Sequence, residues 1–503
     1  MLAEGGNAVD ACIAAGAVSW VAESPLTGPG GGGFMLVHRA RDHTSRVLDF
    51  FVSIPGRGRT RRWTAGMEQI DVEFDRDTSQ VFHIGAASCA VPGAVAGLEA
   101  AHRAYGTVPW ARLLEPAVRL AREGVELTRT QAYLHAILDL ILRHSPEGRA
   151  IYGPSGTRLV AGERVVMGEL AGALELIARD GATALYRGEL GRALVRHVEA
   201  GGGEITRADL DAYRVVVRRP VRVGFRGCEF VSNPPPSSGG VLIGYGLRLI
   251  DALGLQGRPG SAEAIATLAE VMREQTRARG GRFTSDLYRG GLAARLCSDE
   301  AVTAAVGRIR ERERGRSEAA GVSGTTHISA VDARGNAASL TVSNGSGSGV
   351  IVPGTGIHLN NMLGEYDLNP AGGGVRPGRR LTSMMAPSLV LEHGRPRLVV
   401  GSAGSVRLRG AILQIVVNVV EHGLSVEEAI ERPRVHLEEP HVHCEGGADP
   451  EQLDRLESWG YELVRWRRRN LYFGGASAVE FRGDGTLSAA GDPRRGGAGA
   501  VVE

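Results

Sequence analysis

Gly324-Thr325-Thr326-His327-Ile328-Ser329-Ala330-Val331-Asp332, continuing past Gly335-Asn336 into Ser339-Leu340-Thr341-Val342-Ser343-Asn344, is the stretch whose reading decides the fold. Ile328, Ala330 and Asp332 alternate with His327, Ser329 and Val331, and residues 332–336 carry turn chemistry, so the two runs predict a β-hairpin. Just upstream, the arginine- and glutamate-rich residues 308–316 and the small residues Gly321, Ser323 and Gly324 predict a solvated polar segment. A pair of threonines where such a segment meets a strand has one specific chemical use. If the Gly324–Thr325 bond breaks, Thr325 becomes a new amino terminus, a hydroxyl nucleophile with its own α-amine as general base. An α-amine titrates near ~7.7–8.0, so no histidine is needed to accept the proton. The glycine leaves the scissile carbonyl open to Thr325 Oγ in an N→O acyl shift. The same residues also suit the plain start of a threonine-rich strand.

Composition narrows the field. A chain of 503 residues, 43% hydrophobic, fits a large globular protein of one domain or two intimate ones. A net charge of +2 gives no bulk electrostatic case for nucleic acid or a membrane surface. Neither a membrane-length apolar run nor a signal peptide is present, so the chain as given reads as cytoplasmic. Cys12, Cys89, Cys228, Cys297 and Cys444 are scattered and odd in number, which predicts reduced, mostly buried thiols. All 58 basic residues are arginine. Without lysine there is no Schiff-base chemistry, no lysine-anchored pyridoxal cofactor and no P-loop.

Along the chain, Asn7 caps a helix carrying Val9, Ile13, Val18 and Val21. Gly28-Pro29-Gly30-Gly31-Gly32-Gly33 runs into apolar Phe34–Val37. The order helix, glycines, strand is the reverse of a phosphate loop, so the glycines predict close backbone packing at a buried corner. Helical patterns follow over 93–102, 110–122, 130–143, 167–180, 186–199 and 262–278, and the stiff turn 233–240 opens another. Strands are expected at 388–391 and 397–400, then a strongly apolar helix over 412–420. Helices come first and a strand-rich part second. His436, His441, His443 and Cys444 form a His-x-His-Cys-type cluster. Zinc is one reading; period-two spacing that puts His441 and His443 on one solvated strand face is the favoured one.

Gly5–Ala11, Gly30–Met35, Pro234–Gly240, Thr325-Thr326-His327, Leu359-Asn360-Asn361, Leu381–Pro387 and Gly401–Gly404, taken in order, resemble the γ-glutamyltranspeptidase family of glutathione hydrolases and relatives. The resemblance spans most of the chain. It implies an α+β N-terminal-nucleophile hydrolase, a four-layer αββα sandwich with two stacked sheets. It also implies self-cleavage into a helix-rich part, 1–324, and a nucleophile-bearing part, 325–503, which stay together as a heterodimer. By position, Thr325 is the expected nucleophile and Ser343 the hydroxyl that orients it. The amides of Gly404 and Ser405 would form the oxyanion hole, which asks only for donors aimed at developing charge. Thr382 and Ser383 match the pair that binds a substrate α-carboxylate, and Asn344 and Glu365 lie at or near positions holding the α-amino end. No cofactor or metal is implied. The substrate would be a γ-glutamyl amide such as glutathione, with water or an amine as acyl acceptor, and no nucleic acid or membrane partner.

Two departures bear on specificity. An arginine after the second strand clamps the α-carboxylate in the family, and Phe51 stands at that position, in Leu48-Asp49-Phe50-Phe51-Val52-Ser53-Ile54-Pro55. Losing a bidentate, charge-assisted contact weakens carboxylate recognition. Arg57, Arg59, Arg61 and Arg62 follow closely as candidate replacements. Glu365 replaces the usual aspartate, and the segment from Asn361 to Thr382 is short for a lid. The alternative is an acylase of the same fold on another acyl amide, cephalosporin-acylase-like; a third is a non-catalytic binding homologue. Since the chain starts almost inside the first motif, an upstream segment with an export leader is a further expectation.

Overall fold

The computed structural model describes residues 1–59, 66–75, 78–311, 325–365, 376–482 and 484–502. Gly324, residues 312–316 of the arginine-rich run, Arg61 and Arg62 lie outside the described residues.

The strands that build the frame are, in chain order, β1 (Gly32–Arg39), β2 (Thr44–Phe50), β3 (Val216–Arg218), β4 (Val221–Phe225), β5 (Cys228–Ser232), β6 (Thr326–Val331), β7 (Ala337–Ser343), β8 (Ser388–Glu392), β9 (Arg395–Ala403), β10 (Gly475–Phe481) and β11 (Leu487–Gly491). One sheet runs β6-β7-β1-β2-β3 and the other β11-β10-β9-β8-β5-β4. Neighbours in both are antiparallel. The predicted hairpin is β6–β7, with Ser329 opposite Ser339. Strand β6 lies across β9 and β10, so the sheets are stacked face to face. Phe34, Leu36, Val47, Phe51, Val231, Leu389 and Val399 fill the space between them.

Helices α1 (Ala8–Ala22) and α2 (Ala94–Tyr105) cover the first sheet, and α3 (Gly239–Leu253) and α4 (Leu408–Val420) the second. The architecture is therefore the expected αββα sandwich. Asn7 starts α1 with a capping box: its side chain accepts from the Val9 and Asp10 amides, and Asp10 answers its own N–H. That helix is buried almost all round, as befits one wedged between a sheet and a further helix.

The sequence order of helices first and strands second does not separate in space. Strands β1, β2 and β3 share a sheet with β6 and β7 through the β1–β7 pairing, and β4 and β5 join β8 through β5–β8, so both sheets mix early and late chain. Strands 216–218, 221–225 and 228–232 were not foreseen. Strand β3 is only three residues long and largely exposed, β4 alternates buried and exposed over only five residues, and β5 is buried at all but one residue, so none gives a long alternating run.

The glycines before β1 do what their order predicts. A Cβ on Gly31 would fall 2.3 Å from Asn344 Oδ1, and one on Gly33 would fall 2.2 Å from the Thr341 carbonyl oxygen. Only a bare backbone passes there.

The histidine cluster is less solvated than period two suggests. His441 is exposed, but His436 and Cys444 are buried, and His443 packs 5.1 Å from the Tyr472 ring while its Nδ1 accepts from Trp466 Nε1. Aromatic cover from Trp466 and Tyr472, distant in sequence, closes that face.

Candidate active site

The register of β6 against β7 places Thr326 opposite Val342, and one step further carries Thr325 to face Ser343. Thr325 is only 4% exposed and Ser343 1%. Ser343 Oγ accepts from the Gly345 amide at 2.8 Å. Gly345 has a positive φ of 71° and is tightly hemmed: a Cβ there would meet Asn361 Oδ1 at 2.1 Å and Glu365 Oε1 at 2.8 Å. Ser343, Gly345, Asn361 and Glu365 thus form one corner beside the expected nucleophile. Asn361 is held by donating to Ser346 Oγ at 2.7 Å and accepting from the Ser346 amide.

Asn344 is not brought to that corner by its side chain. Its Nδ2 donates to the His358 carbonyl at 3.3 Å, and its amide group lies against Gly28 and Gly31. Its neighbour Asn360 does similar work, donating to the carbonyls of Gly30 and Ala90 and accepting from the Ala90 amide. Both asparagines brace the glycine turn.

The expected oxyanion turn leaves β9 at Ala403. Gly404 has φ 124° and Ser405 φ 51°, a left-handed conformation that a residue with a Cβ adopts only under constraint. The chain then enters α4 through Val406 and Arg407, and Arg407 donates its N–H to the Gly404 carbonyl. The expectation that the Gly404 and Ser405 amides serve an oxyanion therefore falls on a left-handed turn at a helix entrance.

Thr382 and Ser383 are buried. Ser383 Oγ accepts from the Met385 amide at 3.0 Å, and its carbonyl accepts from the Ser238 amide at 2.8 Å. The Pro234–Gly240 turn therefore docks on this segment, and Gly239 leaves no room for a side chain, with the Met384 carbonyl 1.9 Å from any Cβ.

Residue 51 borders the same segment. Ser53 bridges Arg380 in antiparallel fashion and the Leu381 amide donates to the Val52 carbonyl, a register that carries position 51 level with Thr382. An arginine there would stand beside Thr382. Phe51 instead stacks on Phe34, ring centroids 5.4 Å apart, and is 1% exposed. Among the described residues, the nearby guanidiniums of Arg59 and Arg380 are paired elsewhere. Arg57 lies over Gly378, Arg59 pairs with Glu199 at 3.0 Å, and Arg380 pairs with buried Asp49 at 3.0 Å.

The histidine of Thr325-Thr326-His327 is structural. Its ring sits on Gly401 between the sheets, Nδ1 2.8 Å from Thr341 Oγ1 and Nε2 3.0 Å from Ser329 Oγ. Burial pushes its pKa down to about 3, so it stays neutral.

Two residues the sequence did not single out touch the nucleophile's strand. Glu23, just past α1, accepts a hydrogen bond from Thr326 Oγ1. Arg495 donates from Nη1 to the Thr325 carbonyl at 3.2 Å, and its Nη2 lies 4.0 Å from where a Gly404 Cβ would be. Neither stands in a recognisable motif; only the fold brings them here.

The sequence model for Gamma-glutamyltranspeptidase matches residues 1–502. The chain is 35% identical to an acylase ACY 1 proenzyme of Pseudomonas sp. (strain SE83), over 97% of this chain and 88% of that one. It is 30% identical to a glutathione hydrolase proenzyme of Escherichia coli (strain K12), over 98% of this chain and 87% of that one. Among solved structures, cephalosporin acylase from Bacillus halodurans superposes with a TM-score of 0.84 at 24% identity, covering 99% of this chain and 92% of that one.

Proposed function

The chain belongs to the gamma-glutamyltranspeptidase family, and from that premise we propose that it is a self-processing threonine acylase whose acyl pocket does not rely on an arginine clamp. Cleavage of Gly324–Thr325 frees the α-amine of Thr325. That amine takes the proton from Thr325 Oγ as the oxygen adds to a substrate amide carbonyl. The Gly404 and Ser405 amides hold the resulting oxyanion, and the ammonium returns its proton to the leaving amine. An acyl-enzyme on Thr325 is then released to water or an amine. Ser343 orients the nucleophile, and Thr382, Ser383 and Glu365 line the acyl end.

The observation that carries the specificity is Phe51: level with Thr382, stacked on Phe34, with Arg59 and Arg380 already paired elsewhere. Neutral hydroxyls give a carboxylate less than a guanidinium fork does. A γ-glutamyl amide, the first expectation from the sequence, is the second reading here, favoured by the glutathione hydrolase relative. The two separate on one comparison, γ-glutamyl-p-nitroanilide against its 4-aminobutyryl analogue, which lacks the α-carboxylate. We expect kcat/KM values within about threefold of each other, under 1 kcal/mol. A preference of a hundredfold or more for the γ-glutamyl compound would restore the ordinary γ-glutamyl reading.

A further inference from the structure

The base in this mechanism is an α-amine, and what surrounds it decides whether it is free to act. Arg495 reaches the nucleophile's own residue: Nη1 bonds the Thr325 carbonyl at 3.2 Å, and its stem lies over Gly475, where a Cβ would come within 2.3 Å of Arg495 Cδ. Within one residue the carbonyl oxygen and the nitrogen are only a few ångströms apart. A fixed positive charge therefore stands beside the nitrogen that becomes the amino terminus. Glu23 is held at the next residue through Thr326 Oγ1.

We propose that Arg495 is a positioning residue that fixes the Thr325 carbonyl and, by its charge, keeps the freed α-amine neutral and ready to accept a proton, with Glu23 as its counter-charge. This rests on Thr325 being the nucleophile. A cation near an ammonium disfavours the ammonium, so the amine deprotonates at lower pH than an isolated one. Burial works in the same sense on the pair itself, bringing Arg495 down to about 10 and raising Glu23, each partly offset by the other.

The other charged groups around the site do not replace this pair. Arg407, beyond the Gly404 turn, stacks over Tyr472 at 4.4 Å. Asp492 is bound by Arg434 and Arg494. His327 on β6 is neutral, and Glu365 lies across the site beside Gly345. The pair also spans the expected cleavage, Glu23 from the first fragment and Thr326 and Arg495 from the second.

The acid limb of kcat/KM reports the base in the free enzyme. Arg495→Gln should move that limb up by about one pH unit, a roughly tenfold loss of kcat/KM at pH 6. Arg495→Lys, which keeps the charge, should leave it near the wild-type position. Glu23→Gln removes the counter-charge and should move the limb down. Direct carbamoylation of the Thr325 α-amine by cyanate, followed against pH, should give the same order. An unmoved limb in Arg495→Gln, an equal upward shift in Arg495→Lys, or an unmoved or upward limb in Glu23→Gln overturns the inference. Where Arg495→Gln blocks chain cleavage, Arg495→Lys and Glu23→Gln decide. Thr325→Ala is assayed alongside: turnover there defeats the nucleophile reading itself, whereas a dead Thr325→Ala with unmoved limbs defeats only the role of Arg495.

Discussion

At the scale of single residues, one hydroxyl is asked to do two jobs. If Thr325 Oγ both breaks the Gly324–Thr325 bond and opens substrate amides, Thr325→Ala loses both together. Thr325→Ser, which keeps a hydroxyl but drops the methyl, keeps some of each. Gel electrophoresis and amide hydrolysis on the same preparations check this; a Thr325→Ala protein that still matures and turns over places the nucleophile elsewhere. The motif TTH read as a unit in the sequence divides into three roles in space. Thr325 faces Ser343, Thr326 binds Glu23, and His327 locks the two sheets together over Gly401. The first was legible because an N-terminal threonine has a distinctive chemistry. The other two were not, because Glu23 lies 303 residues from Thr326 and Gly401 sits on a different sheet from His327.

At the scale of elements, the glycine turn before β1 is the support on which the catalytic strand rests. A Cβ on Gly31 would meet both Asn344 Oδ1 at 2.3 Å and the Ser343 carbonyl oxygen at 2.4 Å. Gly31→Ala should therefore push β7 away from Thr325. We expect turnover to fall at least tenfold with secondary structure retained, measured by amide hydrolysis and circular dichroism, since a displacement of about 1 Å can cost a hundredfold. Gly172, whose Cβ would meet nothing within 4 Å and whose backbone is not left-handed, is a less sensitive comparison. The sequence signalled this turn well, since a run of glycines into an apolar strand has few other uses. What it did not show is that the Asn344 amide braces the turn while Gly345, Asn361 and Glu365 make the corner at Ser343.

At the scale of the whole molecule, the interleaving of both sheets predicts how a cleaved chain behaves. Parts 1–324 and 325–503, roughly 34 and 19 kDa in proportion to length, would share the β1–β7 and β5–β8 ladders. The described cysteines are all free, so no covalent tie is needed or present among them. The fragments should co-elute near 53.1 kDa and separate only in denaturant, the smaller reading Thr-Thr-His-Ile-Ser from its amino terminus. A single intact band with full activity would contradict this. Buried neutral histidines set an acid limit. His38, His135, His358 and His443 are lowered to about 4 and His327 to about 3, against about 6.5 when unfolded. Below about 6.5 the unfolded chain binds protons the folded one refuses, so stability is full above that pH and is lost as pH falls toward about 4. Tm should decline steadily over that window; a flat profile would show these rings charged or exposed. What the sequence determined by itself was local and chemical: the hairpin and its threonine, the glycine turn, the capped first helix and the ordered motifs. Strand order, the sharing of sheets between early and late chain, the shelter of Phe51 and the approach of Glu23 and Arg495 were decided only by tertiary structure. Periodicity reports which faces are covered, not by whom, and a contact across hundreds of residues leaves no trace in the spacing of either partner.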